Sequence, residues 1–269
     1  MLTDAIGQAH ARVGDDARIV SLVPSVTELL FALGLGPQVV GRTGFCIHPR
    51  ASVRRVPKLG GTKDVDLAGV RALAPSHVIV NIDENERPTY EALRTFVPHV
   101  IVTHPNAPED NRTLYDLLGG VFGREDEAAA LGRALDERLA RLRARCAGRP
   151  PQRVIYLIWR GPWMTVSRDT YIARMLDLVN WQTEPAAAAQ RYPALEDADF
   201  SALAPDLCLL SSEPYPFRAK HLAEVRRLCG SGVEVRLVDG EMLSWYGSRA
   251  IAGLDYLARL ADACTGQLA

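Results

Sequence analysis

The side chains best suited to ligand chemistry lie in loops of this 269-residue chain, outside the predicted helices and strands. Histidine, thiolate and carboxylate groups are common metal donors, and large aromatic rings suit the walls of a pocket for a flat or bulky ligand. The candidate ligand-binding residues are Phe45, Glu84, Trp163, Glu213, Tyr215, Trp245 and Tyr246, and the candidate metal donors are His48, as an axial ligand, and more weakly Cys46.

Each of these residues also has a structural interpretation. His48, before Pro49, could be a loop histidine bonded to backbone, and Glu84 could complement the dipole of a following helix. Trp159, at a strand end, is expected in the core, whereas Trp163 and Trp245 are expected in the pocket. Trp181 and Cys208 are expected to pack inside the protein, together with other apolar residues.

Strands and helices alternate through the first half of the chain, which predicts a parallel, doubly wound α/β sheet. The predicted strands are 18–22, 39–41, 77–80 and 100–102, and the predicted helices are 24–33, 66–73 and 88–96. Ser25 and Glu28 have the spacing of a capping box for the first helix. The second half repeats the plan, with strands 154–158, 207–210 and 233–238 and helices 170–178, 199–203, 219–229 and 248–263.

A long helix is predicted between the halves, over residues 125–146, because apolar residues recur there at spacings of three and four. We therefore expect an N-terminal lobe (18–122), a rigid bridging helix (123–148) and a C-terminal lobe (152–264), with a ligand cleft between the lobes. Ligands of doubly wound sheets bind beyond the carboxyl ends of the strands, where the loops with the candidate residues lie.

The composition excludes several classes of function. A net charge of −1 gives no reason to expect nucleic acid or an anionic membrane surface as partner. No apolar run approaches the ~20 residues of a membrane span, and five cysteines without CxxC spacing argue against a disulfide framework or a zinc site. The N-terminal segment lacks the features of a secretory signal, which predicts a cytoplasmic protein, or a periplasmic one if a leader was removed.

The segment Ser21-Leu22-Val23-Pro24-Ser25-Val26-Thr27-Glu28 resembles the opening of the class III periplasmic substrate-binding proteins, the family with a helical backbone that binds cobalamin, ferric siderophores or heme for ABC importers. Residues 39–49 are similar to the family's second strand and pocket loop. Residues 65–80 and 199–210 resemble its recurrent helix, Leu-x-Pro turn and strand. The resemblance covers about residues 18–260 and is closest to the cobalamin-binding branch.

The resemblance implies roles for particular residues. Phe45 matches an aromatic that lines the corrinoid pocket, Trp163 lies in a loop matching a second-lobe wall, and Trp245 and Tyr246 match a loop that reaches the ligand. The glutamates by which such proteins dock on an ABC permease are replaced by Ala68 and Ala198, although the neighbouring acids Asp66, Asp197 and Asp199 could substitute. This departure predicts a protein that holds its ligand without feeding a transporter, and the resemblance to the family implies a monomer.

Three functions remain open. The first is non-catalytic binding of a corrinoid or ferric chelate, which would be a ligand and not a catalytic cofactor. The second is binding of a bare metal ion by His48, Glu84 and Glu213. The third is an enzyme such as a chelatase, with His48 and Glu84 moving pyrrole protons, but no phosphate loop, GxSxG or HExxH motif supports a catalytic site.

Overall fold

The computed structural model describes residues 2–265. The chain forms two compact units, and each contains more than one stretch of the sequence. The first unit comprises the residues up to Pro105 together with Glu109–Leu135 and Tyr246–Arg249, and the second comprises Asn106–Pro108, Asp136–Trp245 and the residues from Ala250 onward. The three sequence ranges predicted for the lobes and the bridging helix stay a prediction.

The first unit is built around a parallel sheet. Its elements are β1 (Leu2–Thr3), β2 (Ala9–His10), β3 (Ile19–Ser21), α1 (Pro24–Ala32), β4 (Val39–Arg42), α2 (Arg50–Val53), α3 (Leu67–Ala72), β5 (His77–Asn81), α4 (Arg87–Leu93), β6 (His99–Thr103), α5 (Asn111–Phe122) and the first half of α6 (Glu125–Cys146). The strand order is β4-β3-β5-β6, and β1 and β2 form a separate antiparallel pair. This alternation confirms the predicted α/β class.

The strands of this sheet form because their short β-branched runs can be buried on both faces. One apolar cluster lies between the sheet and α3 and α4, and it includes Val20, Val70, Val78, Leu93 and Val100. Burying each such side chain contributes roughly 1.5–3 kcal/mol to folding. All the strands of the sheet run in one direction, so their carboxyl ends share one edge.

The start of α1 corrects one prediction. The N-cap is Val23, Pro24 occupies the first turn, and no side chain caps the helix, so Ser25 is not a capping residue. Proline has no backbone N–H, so the first turn of α1 has one fewer unpaired donor for a capping side chain to accept from. Glu28 is instead paired with Arg249, whose guanidinium donates to both carboxylate oxygens at 2.8 Å.

The second unit repeats the arrangement. Its elements are the second half of α6, β7 (Gln152–Leu157), β8 (Trp163–Met164), α7 (Tyr171–Asp177), β9 (Trp181–Thr183), β10 (Ala194–Leu195), α8 (Asp197–Ala202), β11 (Leu207–Ser211), α9 (Ala219–Cys229), β12 (Glu234–Val238), α10 (Gly240–Ser244) and α11 (Arg249–Thr265). The parallel sheet has the order β12-β11-β7-β9, and β8 pairs with β10. Cys208 and Trp181 are buried, as predicted.

The Leu-x-Pro repeat noted in the sequence has the same backbone conformation in both units. Ala74, before Pro75, has φ of 44°, and Ala204, before Pro205, has φ of 42°. A following proline disfavours the right-handed helical conformation, so each helix ends here. The chain then enters β5 in the first unit and β11 in the second. The same turn therefore joins a helix to a strand of the parallel sheet in both units.

Helix α6 has the predicted bounds, whereas α5 was missed. The sequence of α5 contains Gly119 and Gly120, which lower helix propensity. Close packing requires Gly119, because a Cβ there would lie 2.5 Å from the Ala128 Cβ, and a Cβ at Gly120 would lie 2.4 Å from a Leu2 methyl, which would have to move. Tertiary contacts therefore outweigh propensity in this helix. In the described range 2–265, no helix combines the length and apolar character needed to cross a bilayer.

Candidate ligand-binding faces

Three exposed apolar side chains lie in the loops that follow β4 and β5 of the first unit. Phe45 is 62% exposed, Ile47 41% and Ile82 48%. The loop of Phe45 is held by the Gly44 backbone N–H, which donates to the Gly60 carbonyl at 2.7 Å. We call Phe45, Ile47 and Ile82 the first face. Phe45 was predicted from the sequence, and the two isoleucines could have been found by reading every apolar residue in these loops.

Cys46 lies beneath the first face with its side chain buried. Its sulfur is 3.0 Å from the Thr27 hydroxyl and 3.2 Å from the Thr43 hydroxyl. Burial raises the pKa of the thiol, and the nearby Glu84 carboxylate also raises it. This burial favours a structural role for Cys46, and its role as a weak metal donor stays a prediction. The sequence showed that Cys46 lies in a loop, but it did not show that the side chain is buried.

His48 is half-buried in the same loop and precedes Pro49 through a cis peptide bond. Its role as an axial metal ligand stays a prediction. For the bare-metal alternative, the described residues 2–265 contain no group of three or more His, Cys, Asp or Glu side chains arranged to hold a metal ion.

The loop after β5 contains two acids, Asp83 and Glu84, and hydrogen bonds from their backbone to the Asn81 side chain hold the loop in place. The Asn81 side-chain oxygen accepts from the backbone N–H of Asp83 at 2.8 Å and of Glu84 at 3.3 Å. The hydroxyl of Tyr246 donates to the Glu84 carboxylate. Burial, followed by the Glu84 charge, raises the pKa of the Tyr246 hydroxyl well above its ordinary value. Glu84 and Tyr246 are thus brought together within the first unit, although the sequence separates them by 162 positions.

In the second unit, an exposed tryptophan and a half-buried tyrosine lie beyond the carboxyl ends of β7 and β11. Trp159 is 40% exposed, and its ring meets the Tyr215 ring edge-on, with centroids 5.7 Å apart and an interplanar angle of 70°. We call Trp159 and Tyr215 the second face. The expectation that Trp159 lies in the core is wrong. β7 ends at Leu157 and β8 begins at Trp163, so Trp159 lies in the segment that connects the two strands and not in the sheet.

Trp163 is 9% exposed and belongs to the apolar core of the second unit. Its ring is parallel to that of Phe217 at 6.3 Å and edge-on to that of Phe200 at 5.5 Å. Its indole N–H donates to the Asp197 carboxylate at 3.1 Å. The packing gives Trp163 a structural role that the sequence did not indicate. Its contact with ligand stays a prediction.

The loop after β11 and the short helix α10 are joined by Glu213. One carboxylate oxygen of Glu213 accepts from the Trp245 indole N–H at 2.6 Å and from the Ser244 hydroxyl at 3.0 Å. Burial raises the pKa of this carboxyl, while the two hydrogen bonds act in the opposite direction. Trp245 is buried. The structure therefore brings together two residues that were predicted separately as ligand contacts.

Comparison with known proteins gives the class of the chain. The model of the periplasmic binding protein family matches residues 19–228. The vitamin B12-binding protein of Photorhabdus laumondii is 20% identical over 203 residues, covering 76% of this chain and 74% of that protein. An uncharacterized ABC transporter substrate-binding lipoprotein of Bacillus subtilis is 24% identical over 268 residues, covering 96% of this chain and 83% of that one.

Solved structures share the fold. The periplasmic vitamin B12-binding protein of Vibrio cholerae superposes with a TM-score of 0.83 at 16% identity, covering 94% of this chain and 99% of that chain. The periplasmic heme-binding protein of Roseiflexus sp. RS-1 gives a TM-score of 0.80 at 21% identity, covering 93% and 99%. The chain belongs to the periplasmic binding protein family, as the resemblance predicted, and has the two-lobed α/β fold of these structures.

Proposed function

We propose that this protein binds a metal-containing small molecule without transforming it, and that the ligand is a corrinoid or a ferric chelate such as heme or a siderophore. The observation that carries the proposal is the set of exposed apolar and aromatic side chains beyond the strand ends of each sheet, in a member of a binding-protein family. The relatives support the ligand class, since they include vitamin B12-binding and heme-binding proteins.

The chemistry of each face, taken by itself, suits a flat, partly apolar ligand. Phe45, Ile47 and Ile82 offer apolar contact from the first unit, and Trp159 and Tyr215 offer aromatic contact from the second. Burial of one such side chain against a ligand provides roughly 1.5–3 kcal/mol. We propose that His48 supplies an axial nitrogen to the metal, since neutral imidazole is a frequent metal ligand.

We also propose direct ligand contact by Glu84, Trp163, Trp245 and Tyr246. Hydrogen bonds within each unit hold Trp163, Trp245 and Tyr246 in place for that contact.

A chelatase is the second candidate function, and it requires His48 and Glu84 to exchange protons with a pyrrole. Glu84 accepts a hydrogen bond from Tyr246, which holds the carboxylate in a fixed position. The family to which the chain belongs consists of binding proteins. Binding without turnover is therefore the function that we favour.

The partner of this protein is proposed from the positions where related proteins dock on an ABC permease. Ala68 on α3 and Ala198 on α8 are exposed and carry no charge. The acids nearest to them have other bonds: Asp66 accepts from the Gly69 N–H, and Asp199 accepts from the Glu196 N–H. We propose that the protein holds its ligand without tight docking on a permease. Co-purification of a stable complex with a cognate permease would contradict this.

A visible-absorption titration with cobalamin, cobinamide, hemin and a ferric siderophore tests the function, with calorimetry on the same samples. We expect saturable one-to-one binding of one of these ligands and its recovery unchanged after release. A band shift that is lost in His48→Ala would support axial ligation. Absence of binding to all four ligands, or conversion of one into a product, would overturn the proposal.

A further inference from the structure

Glu213 lies at the base of the loop that carries Tyr215, and every hydrogen bond that it makes is directed toward its own unit. The Ser211 hydroxyl donates to the Glu213 carbonyl at 2.6 Å, and its oxygen is 3.1 Å from the Tyr156 hydroxyl. The carboxylate accepts from Trp245 and Ser244, as described above. Glu213 thus connects β11 to α10 through both its backbone and its side chain.

The approach of the loop to α10 is close enough to require glycine. A Cβ at Gly240 would lie 2.3 Å from the Ser211 hydroxyl oxygen and 2.7 Å from Cγ of Glu213. The Gly240 backbone N–H also donates to the Ser212 hydroxyl at 2.9 Å. Residues of both the loop and α10 therefore form this contact, and it includes more than the Glu213 carboxylate.

Tyr215 follows Glu213 by two positions, and its own contacts continue toward the second face. Its backbone N–H donates to the Ile158 carbonyl at 3.2 Å, and its ring packs against Trp159 and Phe217. The Glu213 carboxylate, which is bonded to α10, therefore lies at one end of a continuous set of contacts, and the second face lies at the other.

We propose that Glu213 is a positioning residue, which fixes Trp245 and the Tyr215 loop for ligand binding and does not contact the ligand itself. This inference rests on the proposed binding function. Two acids near the carboxylate, Asp239 and Glu241, oppose its negative charge. The hydrogen bonds from Trp245 and Ser244 offset part of this repulsion. Each of the two bonds requires an acceptor oxygen on the side chain at position 213, but it does not require that this side chain be charged.

The test compares Glu213→Gln with Glu213→Ala. Glutamine keeps the shape and one acceptor oxygen, so we expect it to retain affinity within ~3-fold, whereas alanine should weaken binding by about ten-fold, mostly through faster dissociation. The loss in Glu213→Ala should not add to that in Trp245→Phe, because both changes break the same hydrogen bond. Equal, large losses in both Glu213 variants would assign the carboxylate to the ligand and overturn the proposal.

Amide hydrogen exchange of the ligand-free protein separates this inference from the binding function. We expect Glu213→Ala to raise exchange at the amides of positions 212, 213, 215 and 217, where the Tyr215 N–H is bonded to Ile158, and Glu213→Gln to leave it unchanged. If the wild-type protein binds none of the four ligands, the proposed function fails, and exchange still reports on the loop. Unchanged exchange in Glu213→Ala would refute the positioning role, whatever the ligand result.

Discussion

Phe45 is among the most exposed of the large apolar side chains in the described chain, and its loop is fixed at Gly44 by a backbone hydrogen bond. Because the ring buries little apolar surface in the folded protein, we expect Phe45→Ala to leave the free energy of unfolding within ~0.5 kcal/mol of wild type. If the ring is an anchor, the same change weakens ligand binding by roughly 1–3 kcal/mol.

Calorimetry with the ligand found in the titration, together with urea denaturation, measures both effects of Phe45→Ala. Leu237→Ala is the matched control, since it removes an exposed apolar side chain from β12, outside the loops of either face. Equal affinities in the two variants would remove Phe45 from the site.

His77 gives a prediction about acid stability. Burial, followed by the charges of His99 and His10, lowers the pKa of His77 to about 4, while an unfolded histidine titrates near 6.5. As pH falls below about 6.5 the unfolded chain takes up the proton before the folded protein does, so stability is lost progressively until about pH 4. Above this window His77 contributes no pH dependence.

Urea denaturation at about pH 7.5, 5.5 and 4.5 samples this window and tests whether the loss of stability comes from His77. We expect His77→Leu to reduce the loss of stability between the first and last of these conditions, with the other acids and histidines supplying the remainder. An identical pH dependence in wild type and variant would show that His77 is not responsible.

At the scale of the element, the junction of α10 with the loop after β11 depends on Gly240. The Cβ of Gly240→Ala would overlap the Ser211 hydroxyl and Glu213 Cγ, so the loop must shift. Such overpacking typically costs 1–3 kcal/mol, and we expect a loss of about this size in the free energy of unfolding. Weaker ligand binding should accompany it, because the displaced loop carries Tyr215.

Gly14→Ala is the control for this prediction. A Cβ there would meet only the flexible Asp16 carboxylate, at 3.2 Å, so its effect should remain within ~0.5 kcal/mol. If Gly240→Ala were as stable as Gly14→Ala, the close approach of loop and helix would not be a constraint on the fold.

For the whole molecule, binding should raise thermal stability by mass action. A ligand at one hundred times its Kd adds ~2.7 kcal/mol to the folded state. For a chain of this length, that free energy corresponds to a rise in Tm of about 5 °C. Scanning calorimetry at fixed ligand concentration should show this rise in wild type and a smaller one in Phe45→Ala. An unchanged Tm at saturating ligand would mean that the ligand does not prefer the folded protein.

Much of the fold could be predicted because its signals are local. The alternation of apolar runs with helical periodicity indicated the parallel sheets, and the Leu-x-Pro turns marked where α3 and α8 end. Helix α6 carries an apolar stripe along its length, and its bounds were predicted correctly. Helix α5 was missed because the packing of its two glycines against Ala128 and Leu2 is not encoded in local spacing.

The sequence by itself determined which loops could form the site, since ligand loops follow the carboxyl ends of parallel strands. Only the tertiary structure decided which side chains in those loops face outward. Trp163 is buried by Phe200 and Phe217, and Trp159 is left exposed beside Tyr215. Burial and hydrogen bonding depend on residues far apart in the chain, as for Trp245 with Glu213, and a linear pattern does not report those distances.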